Sequence, residues 1–196
     1  MHLAIPAAIV AALLSTTAIA AEYSKDDAAD LDRLSESLNG VQSLKGEFVQ
    51  LDPNGAVENG EVYIQKPGKM RFEYKPPSTV LVVSDGLRVV VLNKKLNTTD
   101  RYPLWATPLN LLLSDKIDLK DSGKVTAIER KPGEIVVHAQ SNDKRMHGDI
   151  DIAFSTPTLE LKRWSVTDAQ GLTTTVTLHD VQKGVTLKRE LFFTHG

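Results

Sequence analysis

Short runs of alternating apolar and polar residues, separated by tight turn signals, restrict most strongly what this chain can fold into. In the stretch YIQKPGKMRFEYKPP, the large apolar residues Met70, Phe72 and Tyr74 alternate with charged residues. Successive side chains of a β-strand point to opposite faces, so this period of two predicts a strand with one dry and one solvated face. The fold must therefore provide an apolar environment for one face of a sheet.

The same pattern recurs along most of the chain after residue 44. The predicted strands are LKGEFVQL, GEVYIQ, MRFEY, TVLVV, LRVVVL, KVTAIE, EIVVHA, DIDIAF, LELKRWSV, LTTTVTL and LKRELFF, and the turn signals between them include DPNG, KPG, SDG, SNDKRMHG and DAQG. This spacing is typical of an antiparallel meander. A sheet of about ten such strands tends to curl into a barrel or half-barrel.

Two segments depart from the strand pattern and predict helices. Residues 24–39, SKDDAADLDRLSESLN, begin with Ser24 and Asp27 in a capping-box arrangement and precede Gly40, which ends the helix. The apolar stripe of this helix consists of Leu31, Leu34, Leu38 and Val41. Pro108 opens the second candidate, the short and leucine-rich PLNLLL.

The first residues predict a secretory signal peptide at residues 1–20. They carry no charged side chain, contain an apolar run between Ile5 and Leu14, and end in the small-residue sequence Ala18-Ile19-Ala20. The apolar run is too short to span a bilayer as a helix. We therefore expect one mature domain at residues 21–196 that acts in the periplasm without stable membrane insertion.

The composition excludes several classes of function. The chain has no cysteine, which excludes disulfides, thiolate metal sites, cysteine nucleophiles and a lipid-modified amino-terminal cysteine. A net charge of −2, from 23 basic and 25 acidic residues, gives no electrostatic footprint for nucleic acid. Binding partners are therefore expected to be recognised through shape or apolar surface.

No arrangement of residues predicts catalysis, a metal or a cofactor. The five histidines have no spacing suited to a metal ion: His2, His138, His147, His179 and His195. Asp149 and Asp151 are expected on the solvated face of a strand, since the isoleucines that follow each of them would face inward. Ser84 precedes Asp-Gly in a hairpin turn and lacks the sequence of a nucleophile elbow.

Five segments occur in an order that is characteristic of one protein family. They are FVQ at 48–50, GEVYIQKPGKMRFEY at 60–74, VVSDG at 82–86, YPLWATPLNLLL at 102–113 and DAQGLTTTVTL at 168–178. Together they cover nearly the whole expected mature chain. This ordered set resembles the LolA family of periplasmic carriers of outer-membrane lipoproteins.

The resemblance implies an α+β, mainly β fold, in which an incomplete and strongly curved antiparallel β-barrel carries a helical lid over an apolar cavity. In that family the cavity receives the acyl chains of lipoproteins. An ABC exporter of the inner membrane loads the carrier, and a receptor lipoprotein of the outer membrane unloads it. The implied protein is a monomeric periplasmic chaperone that has no cofactor and is not an enzyme.

The resemblance also assigns roles to individual residues. The acyl-chain cavity would be lined by Phe48, Val62, Ile64, Met70, Phe72, Tyr74, Val80 and Val82. The lid would include Leu31, Leu34, Leu109, Leu111, Leu112 and Leu113. Lys66, where the family typically has Arg before Pro, would hydrogen-bond the lid backbone in the closed empty form and so act as a latch.

Several alternatives remain open from the sequence. Without the resemblance, the apolar strand face would be ordinary core, and Lys66 would be a solvated lysine at a turn. On the same fold the chain could carry free phospholipid or another hydrophobic ligand, or act as an envelope-stress sensor. The alternation also predicts that Arg71 faces water.

Overall fold

The computed structural model describes residues 23–122, 124–140 and 148–194. The predicted signal peptide, most of the predicted turn SNDKRMHG, and His2, His147 and His195 lie outside these residues. The helical elements of the described residues are α1 (Lys25–Asn39), α2 (Asn110–Leu113) and two short 3-10 helices, η1 (Leu104–Ala106) and η2 (Arg189–Phe192). The strands are β1 (Ser43–Leu51), β2 (Val57–Gln65), β3 (Lys69–Tyr74), β4 (Val80–Asp85), β5 (Arg88–Asn93), β6 (Thr98–Pro103), β7 (Val125–Lys131), β8 (Glu134–Gln140), β9 (Asp149–Ser155), β10 (Leu161–Thr167) and β11 (Thr173–Lys183).

All of these strands belong to one antiparallel sheet in the order β6-β5-β4-β3-β2-β1-β11-β10-β9-β8-β7. The first and last strands of the meander, β1 and β11, pair at its centre, which joins the two halves of the chain. Within the described residues β6 and β7 are the sheet edges, so the barrel is incomplete. The predicted fold class is confirmed.

The sequence pattern located the strands well, with two exceptions. Every predicted strand segment except the last forms a strand. The prediction for LKRELFF is wrong, because this segment contains η2; β11 already pairs with β1 and β10, so no neighbouring edge is free for another strand. Strand β6 was not predicted, since its sequence TTDRYP is exposed throughout and shows no apolar alternation.

Arg71 does not face water as the alternation predicts. Its side chain is only 18% exposed and bonds Glu73, with 2.6 Å between Arg71 Nε and Glu73 Oε1. Its Nη1 also donates to the carbonyl of Leu191 in η2 at 3.0 Å. The outer face of β3 is therefore covered by the carboxy-terminal segment, in which Phe192 is buried, and Arg71 fastens that segment to the sheet.

Helix α1 begins at the predicted position because Ser24 caps it. The Asp27 backbone N–H donates to Ser24 Oγ at 3.1 Å, as expected of an N-cap. Leu31 and Leu34 are fully buried and Leu38 nearly so, which anchors the apolar side of the helix in the main core. The helix thus lies against the protein by an apolar stripe of three leucines. Val41, the fourth residue predicted for this stripe, lies beyond the end of the helix.

The half of the sheet formed by β7 to β11 is reinforced by a paired ion contact between β8 and β10. Arg163 donates to both carboxylate oxygens of Glu134, at 2.5 and 2.9 Å, and the Glu134 side chain is only 13% exposed. The hydrogen bonds from Arg163 lower the pKa of Glu134 from 4.5 to about 2. Two parallel N–H···O contacts of this kind are stronger than a single surface ion pair.

This pair predicts a pH dependence of stability. Because the pKa of Glu134 is lower in the folded than in the unfolded chain, its stabilising effect is complete above pH 4.5 and is lost as the pH falls through about 2. We expect Glu134→Gln to reduce the free energy of unfolding by about 1 kcal/mol at neutral pH and by progressively less below pH 4.5. Urea denaturation of both proteins from pH 7 to pH 2 measures this difference. Glu36→Gln, a change on the exposed side of α1, serves as the control, and a pH-independent difference for Glu134→Gln would contradict the prediction.

Candidate ligand-binding site

Two neighbouring apolar cavities lie between the sheet and the helical segments that cover it. The small cavity has a volume of about 40 Å³ and is enclosed by α1, α2 and strands from both halves of the sheet. A cavity of this size has room for about one water molecule. Its lining consists of Ser37, Leu38, Val41, Leu44, Ile64, Lys66, Met70, Leu109, Leu112, Leu113, Glu160, Leu161, Trp164, Leu178, Val181 and Lys183.

The large cavity has a volume of about 710 Å³. This volume falls within the range of about 300–1,000 Å³ that is usual for small-molecule sites. Its lining is mainly apolar and consists of Gln50, Met70, Phe72, Tyr74, Val82, Val91, Tyr102, Pro103, Ala106, Thr107, Pro108, Leu109, Trp164, Val166, Asp168, Thr174 and Val176.

Three side chains line both cavities and form the partition between them: Met70, Leu109 and Trp164. Met70 and Trp164 are almost completely buried, on β3 and β10, whereas Leu109 directly precedes α2. Methionine and leucine side chains repack readily, which allows a partition of this kind to change shape.

The structure brings most of the predicted cavity residues to these two spaces. Ile64 and Met70 line the small cavity, and Met70, Phe72, Tyr74 and Val82 line the large one. The remaining predicted residues line neither cavity: Phe48, Val62 and Val80.

An aromatic cluster partly fills the apolar face of the sheet. The Phe48 ring packs edge-on against Phe72 and Tyr74, with ring centroids 4.8 and 5.0 Å apart, and Phe72 in turn contacts Trp164 at 6.1 Å. Phe48 and Val62 therefore belong to the packed core behind the cavity wall, while Val80 is half-buried farther along β4. Within this cluster, Phe72, Tyr74 and Trp164 line the large cavity, and Phe48 lies behind them.

The opposite wall of both cavities comes from β10 and β11, which the sequence analysis did not assign to the site. Trp164, Val166 and Val176 line the large cavity from these strands. The alternation in LELKRWSV and LTTTVTL shows on which face of each strand these residues lie. It does not show that this face lies opposite β3. That proximity arises from the β1–β11 pairing, which closes the meander on itself.

The predicted lid residues fall into two groups. Leu109, Leu112 and Leu113 line the small cavity, so this part of the chain does cover open space. Leu31 and Leu34 are fully buried and line neither cavity, and Leu111 is buried beside two other small clefts. The wall that α1 contributes to the small cavity consists instead of Ser37 and Leu38 in its last turn.

Lys66 lies at the end of β2, beneath the last turn of α1. Its Nζ donates to the Leu38 carbonyl at 2.7 Å. This carbonyl is one of the last in α1, where a cation is favoured, and it also accepts from the Val41 N–H at 3.2 Å. Burial lowers the pKa of Lys66 to about 8 from 10.5, although the carboxylate of Asp115 opposes this change. The lysine is therefore held in a partly dry position by its contact with the helix end.

The same turn also holds α2. The Gly68 backbone N–H donates to the Leu113 carbonyl at 2.8 Å, so the KPG turn bonds the carboxy-terminal ends of both helices. Gly68 has φ +74°, and a Cβ there would lie 2.7 Å from Gly86 Cα, a distance that only glycine permits. The buried Ser84 hydroxyl donates to the Gly68 carbonyl at 2.6 Å. The KPG and SDG turns thus pack together as one support beneath the helices.

Side-chain hydrogen bonds join α1 to the segment that follows α2. The amide of Asn39 donates to the Ile117 carbonyl at 2.7 Å and accepts from the Ile117 N–H at 2.8 Å. Ser35 Oγ accepts from the Leu119 N–H at 2.9 Å. We use the term lid for α1 together with residues 109–119, since these contacts connect the two parts.

Histidine, acidic and serine side chains singled out in the sequence were located in the structure. They contain no group of three or more His, Asp or Glu side chains that could hold a metal ion. His138 is paired with Asp151 at 2.7 Å on β8 and β9, and Ser84 is committed to its bond with Gly68.

None of the helices in the described part of the chain has the length and apolar character needed to cross a bilayer.

Comparison with known proteins gives a consistent result. Residues 39–194 match the model of the family described as outer membrane lipoprotein carrier protein LolA. An outer-membrane lipoprotein carrier protein of Cupriavidus necator is 27% identical, over 94% of this chain and 92% of the relative. One from Pseudomonas paraeruginosa is 28% identical, over 93% of this chain and 90% of the relative. The solved structure of a DUF1329 family protein from Desulfovibrio piger has a TM-score of 0.51 at 12% identity, over 86% of this chain and 96% of that one, which is a similarity of fold.

Proposed function

The chain belongs to the LolA family, and from that premise we propose that it carries outer-membrane lipoproteins through the periplasm with their acyl chains buried in its apolar cavities. The observation that carries this proposal is the 710 Å³ cavity with a mainly apolar lining, beside a helical lid whose ends are bonded to the sheet. An inner-membrane ABC exporter would load it, and a receptor lipoprotein of the outer membrane would unload it. In this proposal the protein is a non-enzymatic chaperone.

The energetics of acyl-chain burial set the problem that such a carrier must solve. Each methylene that leaves water contributes about 0.8 kcal/mol, so one buried acyl chain would hold a lipoprotein very tightly. A carrier must nevertheless release its cargo. An empty form that is stabilised by its own contacts weakens the affinity, since those contacts must break when the ligand enters.

In this proposal the bond from Lys66 to Leu38 acts as the latch of the empty form. It joins the sheet to the last turn of α1 across the wall of the small cavity, which is nearly filled. Entry of an acyl chain there would displace Leu38 and break the bond. A hydrogen bond of a charged group contributes about 1.5–3 kcal/mol, which is enough to change affinity by one to two powers of ten.

The first prediction of the proposed function concerns the cavity wall and compares two adjacent, half-buried residues of β4. Val82 lines the large cavity, whereas Leu81 lies on the opposite face of the strand. Val82→Asp should weaken binding of a dansyl-labelled triacyl-cysteine peptide by at least about tenfold, because the carboxylate would have to lose its water to an apolar chain. Fluorescence titration of the purified protein measures this effect.

Leu81→Asp is the matched control, and near-UV circular dichroism establishes that both variants are folded. Equal affinity of the Val82→Asp variant and the wild type would place the acyl chains outside this cavity. Native mass spectrometry of protein purified from the periplasm distinguishes the kinds of cargo. Bound acylated protein supports the proposal, and free phospholipid alone supports a phospholipid carrier.

The second prediction concerns release of the cargo. Lys66→Leu removes the donor to Leu38 and should bind the triacyl-cysteine peptide about ten- to a hundredfold more tightly, with correspondingly slower transfer to acceptor vesicles. Lys66→Arg keeps a donor and should remain close to the wild type. Lys94→Leu removes an exposed lysine in the β5–β6 turn and controls for the loss of charge. If Lys66→Leu released the peptide as fast as the wild type, Lys66 would have no latch role.

A further inference from the structure

The latch and the lid helix α1 border only one of the two cavities. Ser37, Leu38 and Lys66 line the small cavity. Among the described residues, none from α1 lines the large cavity, and neither does Lys66. The Lys66–Leu38 bond therefore borders the cavity of about 40 Å³ and does not border the cavity of about 710 Å³.

We infer that the two cavities are successive compartments: the large cavity takes one acyl chain while the lid remains latched, and the small cavity opens only for ligands with further chains. This inference rests on the proposed function and specifies how the number of chains is sensed. The Lys66–Leu38 bond then weakens the binding of multi-chain ligands and leaves single-chain ligands unaffected.

The position of the walls of the large cavity indicates that an acyl chain can enter it without movement of α1. One side comes from β3, β4 and β5, and the other from β10 and β11, all of which are fixed by the sheet. The cover comes from β6 and from residues 103–109, before α2 begins. Tyr102 on this cover is half exposed, so the cavity adjoins solvent at a place that no latch contact borders.

The partition explains why further chains require the lid to open. Met70 and Trp164 are fixed on strands, so the side chain of the partition that moves with the lid is Leu109. Leu109 is bonded into the first turn of α2, where its carbonyl accepts from the N–H groups of Leu112 and Leu113. Displacing it moves α2, whose last carbonyl is held by Gly68 and whose following segment is bonded to Asn39 of α1. Joining the two cavities thus strains the bond between Gly68 and α2 and, through the segment after α2, the last turn of α1.

A latch affects affinity only for ligands that must break it. The affinity of a ligand that binds the closed and open forms equally does not change when the closed form is destabilised. A single chain in the large cavity is such a ligand. A ligand with two or three chains needs the open form, so its affinity rises when the latch is removed.

The experiment compares two fluorescent probes on the purified protein. One is dansyl-labelled undecanoic acid, with a single chain, and the other is the dansyl-labelled triacyl-cysteine peptide. For Lys66→Leu, the Kd of the triacyl probe should fall about ten- to a hundredfold, while that of the single-chain probe should stay within about threefold of the wild type. Lys94→Leu should change neither value.

A second pair of variants tests the location of the single chain. Val91 lines the large cavity from β5, and the adjacent Leu92 lies on the other face of that strand. Val91→Trp fills part of the cavity and should raise the Kd of the single-chain probe at least about tenfold. Leu92→Trp is the matched control. Thermal denaturation of both variants shows whether the sheet is intact.

The outcomes separate this inference from the proposed function. If Lys66→Leu tightens both probes by the same factor, the latch closes both cavities and the two-compartment account is wrong, although the protein still binds acyl chains. If single-chain binding survives Val91→Trp in a folded protein, the large cavity is not its site. If neither probe binds the wild type, both the proposed function and this inference fail.

Discussion

Two hydrogen bonds from one turn hold the helices over a sheet face that is not fully packed. Lys66 Nζ bonds the end of α1, and the Gly68 N–H bonds the end of α2. Carbonyl groups at helix ends lack partners within the helix, so a turn that supplies two donors satisfies both ends at once. The turn is rigid because Gly68 packs directly on Gly86 and its carbonyl is bonded by Ser84.

Different contacts attach the two parts of α1 to the rest of the protein. Towards its amino-terminal end, Asp27 and the buried Asp30 both pair with Arg130 of β7, whose side chain is half exposed, and Tyr23 bonds the Val125 carbonyl. The last turn is bonded by Lys66, whose Nζ donates to the Leu38 carbonyl and whose pKa is lowered by burial. This turn is also held by the two bonds between Asn39 and Ile117, and by Ser37 Oγ, which donates to the Leu159 carbonyl at 2.6 Å. A lysine lacks the planar fork of an arginine and bonds with less geometric constraint.

The sequence predicted α1 and every strand except β6, because each depends on local periodicity, whereas the assignment of an apolar strand face to a cavity came from the family resemblance. Met70, Phe72 and Val82 follow from alternation within one strand, and Leu31 and Leu34 from helical spacing. Alternation does not predict tertiary contacts between strands. It could not show that Phe48 packs behind Phe72, or that Trp164 of β10 lies opposite β3. The errors at Arg71 and at residues 187–193 have one cause, since η2 covers a strand face that the pattern assigns to solvent. The latch role proposed for Lys66 came from the family resemblance, and its proximity to Leu38 depends on the tertiary structure.

The most direct test of the account is an NMR titration of the Lys66 side chain, with and without bound triacyl-cysteine peptide. In the empty protein, burial beneath α1 should lower the pKa of Lys66 to about 8. In the loaded protein the lid has moved and the ammonium group is hydrated, so its pKa should rise towards the ordinary value of 10.5. The open form then binds more protons between these values, so a rise in pH through this range should favour the closed, empty form. The same lowered pKa in the empty and the loaded protein would show that Lys66 stays in place when lipid binds, and would contradict the account.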